Sequence, residues 1–146
     1  MITKLGKKQW LTIILFGLIG QIAWSIENME FNLFLFNYIG GSTTDIANMV
    51  AYSAIFATLT TLVMGTVSDR VGHRKMFLCL GYVFWGISTL AFAFISRDNI
   101  SKLTGVSLNQ VLPLTVFAVI FMDCVMTFFG STANDASFNS WVTEST

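Results

Sequence analysis

The stretch GTVSDRVGHRK, residues 65–75, separates two long apolar runs of this chain. It carries three basic side chains within six residues: Arg70, Arg74 and Lys75. Such a density of positive charge is too costly in the hydrocarbon core of a bilayer, so the stretch has to contact water. We therefore interpret it as a short hinge between two membrane-spanning helices.

The composition of the chain favours the same class of protein. Apolar residues make up 54% and charged residues 11% of the sequence, whereas about 25% of the residues in soluble domains are charged. We predict an integral membrane protein that contacts a lipid bilayer, and nothing in the sequence suggests a nucleic-acid partner. Cys79 and Cys124 lie inside apolar runs without metal-site spacing, so we expect buried apolar side chains and no cofactor.

Four apolar segments each reach the roughly 20 residues that a helix needs to cross a bilayer. They cover residues 10–39, 46–67, 76–95 and 109–143. The sequence therefore predicts an all-α, multi-pass membrane protein with four transmembrane helices and no separate soluble domain.

The connections between these segments are polar. Residues 40–45 predict a short outer turn, and residues 97–110 predict a longer polar loop on the same side. Ser107 or Asn109 can cap the fourth helix, and Pro113 is tolerated because it lies in the first helical turn.

Basic residues are distributed unevenly between the two predicted sides. Arg97 and Lys102 lie on one side, and six basic residues lie on the other: Lys4, Lys7, Lys8, Arg70, Arg74 and Lys75. Because short cytoplasmic loops are enriched in Lys and Arg, we predict that the N-terminus and the hinge are cytoplasmic in a protein of the cell membrane.

Half of the eight acidic residues lie inside the apolar segments: Glu27, Glu30, Asp123 and Asp135. An acid at the bilayer centre costs roughly 2.5–3.5 kcal/mol, so four cost on the order of 10 kcal/mol unless each is satisfied. No Lys or Arg lies within the segments. The acids must therefore be protonated, face water, bind a cation or pair with basic groups from elsewhere.

Polar residues fall on distinct faces when the segments are drawn as helices with about 100° per residue. The first segment has one stripe of amides and a second stripe with both acids: Gln21, Asn28 and Asn32, then Glu27, Glu30 and Asn37. The fourth segment has polar side chains over about a third of its circumference: Asp123, Thr127, Ser131, Asn134 and Asp135. We expect these two segments to line a polar interior and the uncharged third segment to face lipid.

Aromatic residues near these stripes suit stacking against a sugar ring or a flat apolar solute. They are Trp24, Phe138 and Trp141. The alternative interpretation is that the polar residues only join helices within a bundle, as amides often do in membranes.

The hinge also carries a spaced pattern: Gly, three residues, Asp-Arg, one residue, Gly, one residue and two basic residues. This pattern resembles the loop between the second and third helices of the major facilitator superfamily of secondary transporters. Here it is filled by Gly65, Asp69, Arg70, Gly72, Arg74 and Lys75. Transporters of this superfamily consist of two six-helix halves that hold the solute between them. The resemblance implies that this chain is the N-terminal part, helices one to four, and that the remaining helices complete the transporter.

The same resemblance implies mechanical roles for the hinge. Gly65 would let the second helix approach a neighbour closely, and Gly72 would supply the tight turn. Asp69 and Arg70 would form a breakable charge cluster that Glu144 joins. Closing and parting this cluster would favour different access states.

A second resemblance concerns residues 132–143, TANDASFNSWVT. They are similar to the fourth helix of the glycoside-pentoside-hexuronide:cation symporters in that superfamily, which implies that Asp135 helps to bind the coupling cation and that Phe138 and Asn139 lie near the solute. The sodium-type site of that family uses further acids in the second helix, and the matching residues 57–61 have none. H⁺ and Na⁺ both remain candidates, and H⁺, carried by Asp135 or Glu27, needs fewer ligands.

Together these features predict a secondary transporter, not an enzyme, that moves a small polar solute, with sugars and glycosides as the leading class. One alternative is a small four-helix multidrug exporter that works as a dimer with an acid in its first helix. Another is a membrane assembly protein without transport activity. An enzyme that uses Asp123 and Asp135 as a pair would need a partner chain, because twelve residues separate the two acids by about 18 Å on one helix.

Overall fold

The computed structural model of the chain describes residues 6–145, apart from the side chains at positions 141, 144 and 145. Every regular element in this range is helical, which confirms the all-α prediction. The α-helices are α1 (Lys7–Leu33), α2 (Thr43–Val71), α3 (Arg74–Phe92), α4 (Arg97–Thr104), α5 (Leu112–Ser131) and α6 (Asn139–Ser145). Helix α1 continues as a first π-helical segment (Phe34–Ile39), and α5 continues as a second π-helical segment (Thr132–Phe138).

Four of the described helices are long and apolar enough to cross a membrane, as predicted. They cover Lys7–Ile39, Thr43–Val71, Arg74–Phe92 and Leu112–Phe138. Their outer faces expose many large apolar side chains, including Leu18, Leu62 and Leu90. These faces are suited to lipid contact, as in a multi-pass membrane protein.

The hinge is shorter than the sequence pattern predicts. Helix α2 continues through Gly65 and Asp69 as far as Val71, so that only Gly72 and His73 separate it from α3. Gly72 ends α2 with a left-handed φ of 70°, a conformation that glycine adopts without a steric penalty. Its predicted role in the tight turn is therefore confirmed.

The predicted turn at residues 40–45 is confirmed, although its last residues already belong to α2. Gly40 adopts a left-handed φ of 79° at the end of the first π-helical segment. Ser42 and Asp45 then form a capping box, in which the Ser42 backbone N–H donates to the Asp45 carboxylate at 2.7 Å and the Asp45 N–H donates to the Ser42 hydroxyl at 3.2 Å. This reciprocal cap starts α2 at Thr43.

The prediction of an irregular loop over residues 97–110 is wrong, because its first half forms α4. Ser96 caps this helix by accepting a hydrogen bond from the Asn99 N–H at 3.1 Å, and Gly105 ends it with a φ of 72°. Asp98 lies in its first turn and Lys102 in its last turn, where both charges complement the helix dipole. These short-range signals suffice for two helical turns despite the polar composition.

The predicted cap of the fourth long helix is also wrong. The Ser107 backbone carbonyl accepts a hydrogen bond from the Gln110 N–H at 2.9 Å within a turn, and α5 begins after Val111 without a side-chain cap. Pro113 lies in the first turn of α5, as predicted.

Arg97 joins the end of the first π-helical segment to α4. Its guanidinium donates two hydrogen bonds to the backbone carbonyl of Ile39, one of them from Nε at 2.6 Å. Gly40 lies directly against the same guanidinium. The carbonyl at the end of the first π-helical segment is thus satisfied by a positive side chain.

Helix α5 occupies the centre of the bundle, with α2 packed on one side and α3 on another. Val119 and Met126 of α5 are fully buried in the main apolar cluster. Helix α1 joins this cluster through ring contacts with α3, of which the closest is the Phe31–Phe92 stack with centroids 4.2 Å apart.

The prediction that the third segment faces lipid holds for only one face of α3. Val83, Ile87 and Leu90 are exposed. The opposite face is buried within the bundle and contains Gly81, Trp85, Ser88 and Phe92. Helix α3 therefore contributes side chains to the interior as well as to the lipid-facing surface.

A glycine in α3 permits close approach to the second π-helical segment. A Cβ atom built at Gly81 would lie 2.8 Å from the Cβ of Ala133 and 3.1 Å from its backbone nitrogen. At Gly86, five residues along the same helix, a Cβ atom would meet nothing within 4 Å. Small residues at such contacts allow helices to pack closely in membranes.

We expect Gly81→Ala to lower the midpoint of thermal unfolding in detergent micelles, because the added methyl group collides with Ala133. Overpacking of this kind typically costs about 1–3 kcal/mol. Gly86→Ala is the matched control and should leave the midpoint unchanged or raise it slightly. Equal midpoints for the two variants would contradict this packing.

Candidate functional site

The second π-helical segment, Thr132–Phe138, carries three of the predicted site residues: Asn134, Asp135 and Phe138. Asn134 and Phe138 are buried, and Asp135 is half-buried. π-helical turns are rare and occur frequently at functional sites. The apolar and polar periodicity of the sequence did not reveal the change from α- to π-helix.

Glu27 is held at the interface between α1 and α3. The indole N–H of Trp85 donates to its carboxylate at 2.6 Å. The ring of Trp85 also lies 6.4 Å from that of Trp24 and 5.8 Å from that of Tyr82, measured between centroids. The predicted residues Trp24 and Glu27 thus come together, with two aromatic residues that the sequence analysis had assigned to a lipid-facing helix.

Asn134 links this arrangement to the second π-helical segment. The Tyr82 hydroxyl donates to the Asn134 side-chain oxygen at 3.4 Å. A Cβ atom at Gly20 of α1 would lie 2.5 Å from the same oxygen, so glycine is needed for this approach. We call these five side chains the Glu27 cluster: Trp24, Glu27, Tyr82, Trp85 and Asn134.

Phe138 packs beside the cluster without belonging to it. A Cβ atom at Gly17 of α1 would be in ordinary contact with the Phe138 ring at 3.6 Å. The segment therefore meets α1 at two points, Gly17 and Gly20, one helical turn apart.

Asp123 is buried between α5 and α2. The Ser53 hydroxyl of α2 donates a hydrogen bond to its carboxylate. Asp123 also lies within electrostatic range of Glu27, so the charge on one carboxyl acts on the other. Sequence analysis predicted Asp123 as a site residue but did not identify Ser53 as its partner.

Asp135 lies next to the side chains of Ser131 and Asn134 and within electrostatic range of Tyr82. It is thus adjacent to the Glu27 cluster through Tyr82 and Asn134. Among residues 6–145, no basic side chain forms an ion pair with Glu27, Asp123 or Asp135.

The amide stripe predicted on α1 does not join the cluster. Gln21 and Asn28 are exposed, and the Asn28 amide donates to the Trp24 backbone carbonyl at 2.8 Å. Asn32 is half-buried, and its side-chain oxygen has no hydrogen-bond partner within the described part of the chain. Asn139 is also exposed, at the start of α6.

Glu27 and Glu30 both line a groove between α1 and α3 with a volume of ≈ 500 Å³. Its other walls include the aromatic rings of Phe31, Tyr82 and Trp85. Glu30 is exposed at this groove, whereas Glu27 is half-buried. The groove therefore combines two acids with aromatic and aliphatic surface.

The ion pair at the hinge differs from the predicted one. Asp69 pairs with Arg74 at 2.7 Å and not with its neighbour Arg70, which is exposed. A second nitrogen of Arg74 donates to the Ser140 backbone carbonyl at 3.0 Å. Arg74 thus connects the end of α2 and the start of α3 to α6.

One other predicted hinge role is not fulfilled in the described structure. A Cβ atom at Gly65 would meet nothing within 4 Å, so Gly65 does not permit a close helix contact here. Lys75 is exposed. The side chain of Glu144, predicted to join the charge cluster, lies outside the described residues.

Comparisons with family models, with characterised proteins and with solved structures found no match for this chain. The function is therefore argued from the geometry of the Glu27 cluster.

The hydrogen bond between Trp85 and Glu27 predicts energetic coupling between these residues. We expect a double-mutant cycle with Glu27→Ala and Trp85→Phe, measured by SDS-driven unfolding in mixed micelles, to give a coupling energy of about 0.6–1.7 kcal/mol. The matched cycle with Trp24→Phe, which lacks a hydrogen bond to Glu27, should give a smaller value. Additive effects in the Trp85 cycle would show that the bond contributes nothing.

Proposed function

We propose that the chain contributes to a secondary transporter that moves a small polar solute by proton- or cation-coupled alternating access, with Glu27 as a coupling carboxyl. The observation that supports this function is the placement of Glu27 among Trp24, Trp85 and Tyr82 at the junction of three helical segments. A structural role needs no acid there, since an amide would make the same hydrogen bond without a buried charge.

Coupling follows from the electrostatics of the site. An ionised acid inside a bilayer needs a cation, a proton or water to compensate its charge. Glu27 and Asp123 lie within electrostatic range of each other, so a proton or cation taken up at one carboxyl changes the free energy of ionisation at the other. Binding at such a site can therefore bias the equilibrium between two helix arrangements.

The solute that suits the surrounding residues is a sugar or glycoside. Aromatic rings such as those of Trp24 and Trp85 stack on the apolar faces of sugar rings, and amides such as that of Asn134 bind hydroxyl groups. The exposed amides of Gln21 and Asn28 are further groups that could bind hydroxyl groups of the solute. Further helices, which we propose as partners of this chain, would cover them and close the solute site.

The hinge supplies the element that changes between access states in this proposal. Arg74 binds both Asp69 and the Ser140 carbonyl. Because the bonds to Arg74 join three helices at one point, their rupture would release the end of α2 and the start of α6 from the start of α3. We propose that this release accompanies the switch of the solute site from access on one side of the membrane to access on the other.

The α1–α3 groove favours a second candidate function, the export of lipophilic organic cations by a dimer of this chain. Two acids, Glu27 and Glu30, line it together with aromatic rings. Aromatic faces and carboxylates both attract organic cations. Transport of ethidium, a lipophilic organic cation, would distinguish this function from sugar transport.

The transport assay uses cells that produce the full-length protein and a panel of radiolabelled galactose, melibiose and methyl glucuronide together with ethidium. We expect accumulation of at least one of these solutes to depend on the proton or sodium gradient. Glu27→Gln should abolish the gradient-driven accumulation, because the variant cannot exchange a charge.

Glu30→Gln is the matched control for sugar accumulation and should retain most of it, since Glu30 is exposed at the same groove. Asp69→Asn should slow transport without loss of solute binding, because it breaks only the hinge ion pair. Unchanged gradient-driven accumulation in Glu27→Gln would disprove the role of Glu27, and loss of binding in Asp69→Asn would disprove the gating role.

We further propose that the N-terminus and the hinge are cytoplasmic in the cell membrane, on the basis of the distribution of Lys and Arg. Single-cysteine variants His73→Cys and Asn99→Cys, made after replacement of Cys79 and Cys124 by serine, test this orientation. In intact cells an impermeant maleimide should label position 99 and leave position 73 unlabelled until the cells are opened. The opposite labelling pattern would reverse the orientation.

A further inference from the structure

A second groove lies between α1 and α3, at the end of the bundle where α1 begins. It has a volume of ≈ 230 Å³ and is lined by Thr12 and Phe16 of α1 and by Arg74, Lys75, Leu78 and Cys79 of α3. We call it the basic groove. It is separate from the groove that contains Glu27, and it shares no lining residue with it.

The accessible wall of the basic groove is apolar. The Thr12 hydroxyl donates to the Lys8 backbone carbonyl at 2.9 Å and so has its own partner within α1. The lining also includes Phe16, Leu78 and Cys79. A hydrocarbon chain fits such a surface better than a hydrated ion does.

Basic side chains border the mouth of this groove. Lys75 is exposed and forms part of the wall itself. Lys8 lies four residues before Thr12 and is therefore on the same face of α1. Arg74 also lines the groove, but Asp69 and the Ser140 carbonyl bind its guanidinium.

Among the described residues, positive charge predominates at the mouth even when Asp69 is counted. The cations there are Lys8, Arg74 and Lys75, and Asp69 pairs with Arg74. Within the described residues, Lys8 and Lys75 form no ion pair. The two lysines can therefore bind an external anion.

We propose that the basic groove binds one anionic phospholipid, with its phosphate between Lys8 and Lys75 and an acyl chain along Phe16 and Leu78. Phe16 lies eight residues beyond Lys8, about 12 Å along the helix axis. This distance suits a lipid whose headgroup lies at the membrane surface and whose chain enters the hydrocarbon core. Basic pockets between transmembrane helices bind anionic headgroups in this way. The proposal does not depend on the transport function.

The test counts lipids that remain bound to the full chain in native mass spectrometry from detergent micelles. With added dioleoyl phosphatidylglycerol, the wild-type chain should retain one lipid molecule, and with dioleoyl phosphatidylcholine it should retain none at the same concentration. The double variant K8Q/K75Q should bind phosphatidylglycerol about 25-fold more weakly, because each interfacial cation contributes about fivefold. Lys75→Gln alone should show about a fivefold loss.

The matched control is K7Q/R70Q, which removes two cations from the same end of the bundle without changing the groove. We expect its affinity for phosphatidylglycerol to stay close to that of the wild-type chain. An equal loss in both double variants would assign the binding to overall charge and overturn the proposal. Circular dichroism and the thermal midpoint of each variant confirm that it is folded before binding is compared.

A second arm separates a lipid from a free anion. Glycerophosphoglycerol, which has the same headgroup but no acyl chains, should not bind measurably, because the apolar wall supplies much of the affinity. Binding of this soluble headgroup as tight as that of the whole lipid would overturn the proposal, as would equal retention of phosphatidylcholine.

Discussion

The constraint on which the rest of the structure depends is the enclosure of carboxylic acids between helices where none of the described basic side chains pairs with them. Asp123 is buried and Glu27 half-buried, and each takes a neutral donor from a different helix: Trp85 of α3 for Glu27 of α1, and Ser53 of α2 for Asp123 of α5. A helix rotated away from its partner would expose its acid to hydrocarbon at a cost of several kcal/mol. The two hydrogen bonds therefore fix the register of α1 against α3 and of α2 against α5.

Close packing complements these polar contacts. Gly20 and Gly81 admit the second π-helical segment to within contact distance of α1 and α3. Because α5 lies at the centre of the bundle, its continuation into this segment brings Asn134 and Asp135 next to side chains from both neighbours. The Glu27 cluster therefore lies beside the close helix contacts at Gly20 and Gly81. A substitution that changes this packing also changes the position of the polar side chains.

The features that could be predicted from sequence are those set by local composition. Four apolar runs gave four long helices, and the glycine pattern of the hinge located the turn at Gly72. Capping signals are also present around Ser96 and Gly105, but the polar composition of that stretch favours a loop. The uncharged third segment predicts a lipid-facing helix, and this pattern does not reveal the indole donor of Trp85. The contacts between Gly81 and Ala133 and between Asp69 and Arg74 depend on the relative position of helices, which periodicity in one segment does not determine.

The guanidinium of Arg97 holds the Ile39 end of α1 to α4, and this attachment limits how α1 can move. With that end anchored, a rigid tilt of α1 pivots near Ile39. The displacement of each residue of α1 then grows with its distance from Ile39. The helix from Lys7 to Ile39 contains 33 residues, about 50 Å at 1.5 Å per residue, so a rotation of only 5° moves its first turn by roughly 4 Å. Small angular changes near Ile39 therefore become larger displacements at the opposite end of α1, where the hinge and the basic groove lie.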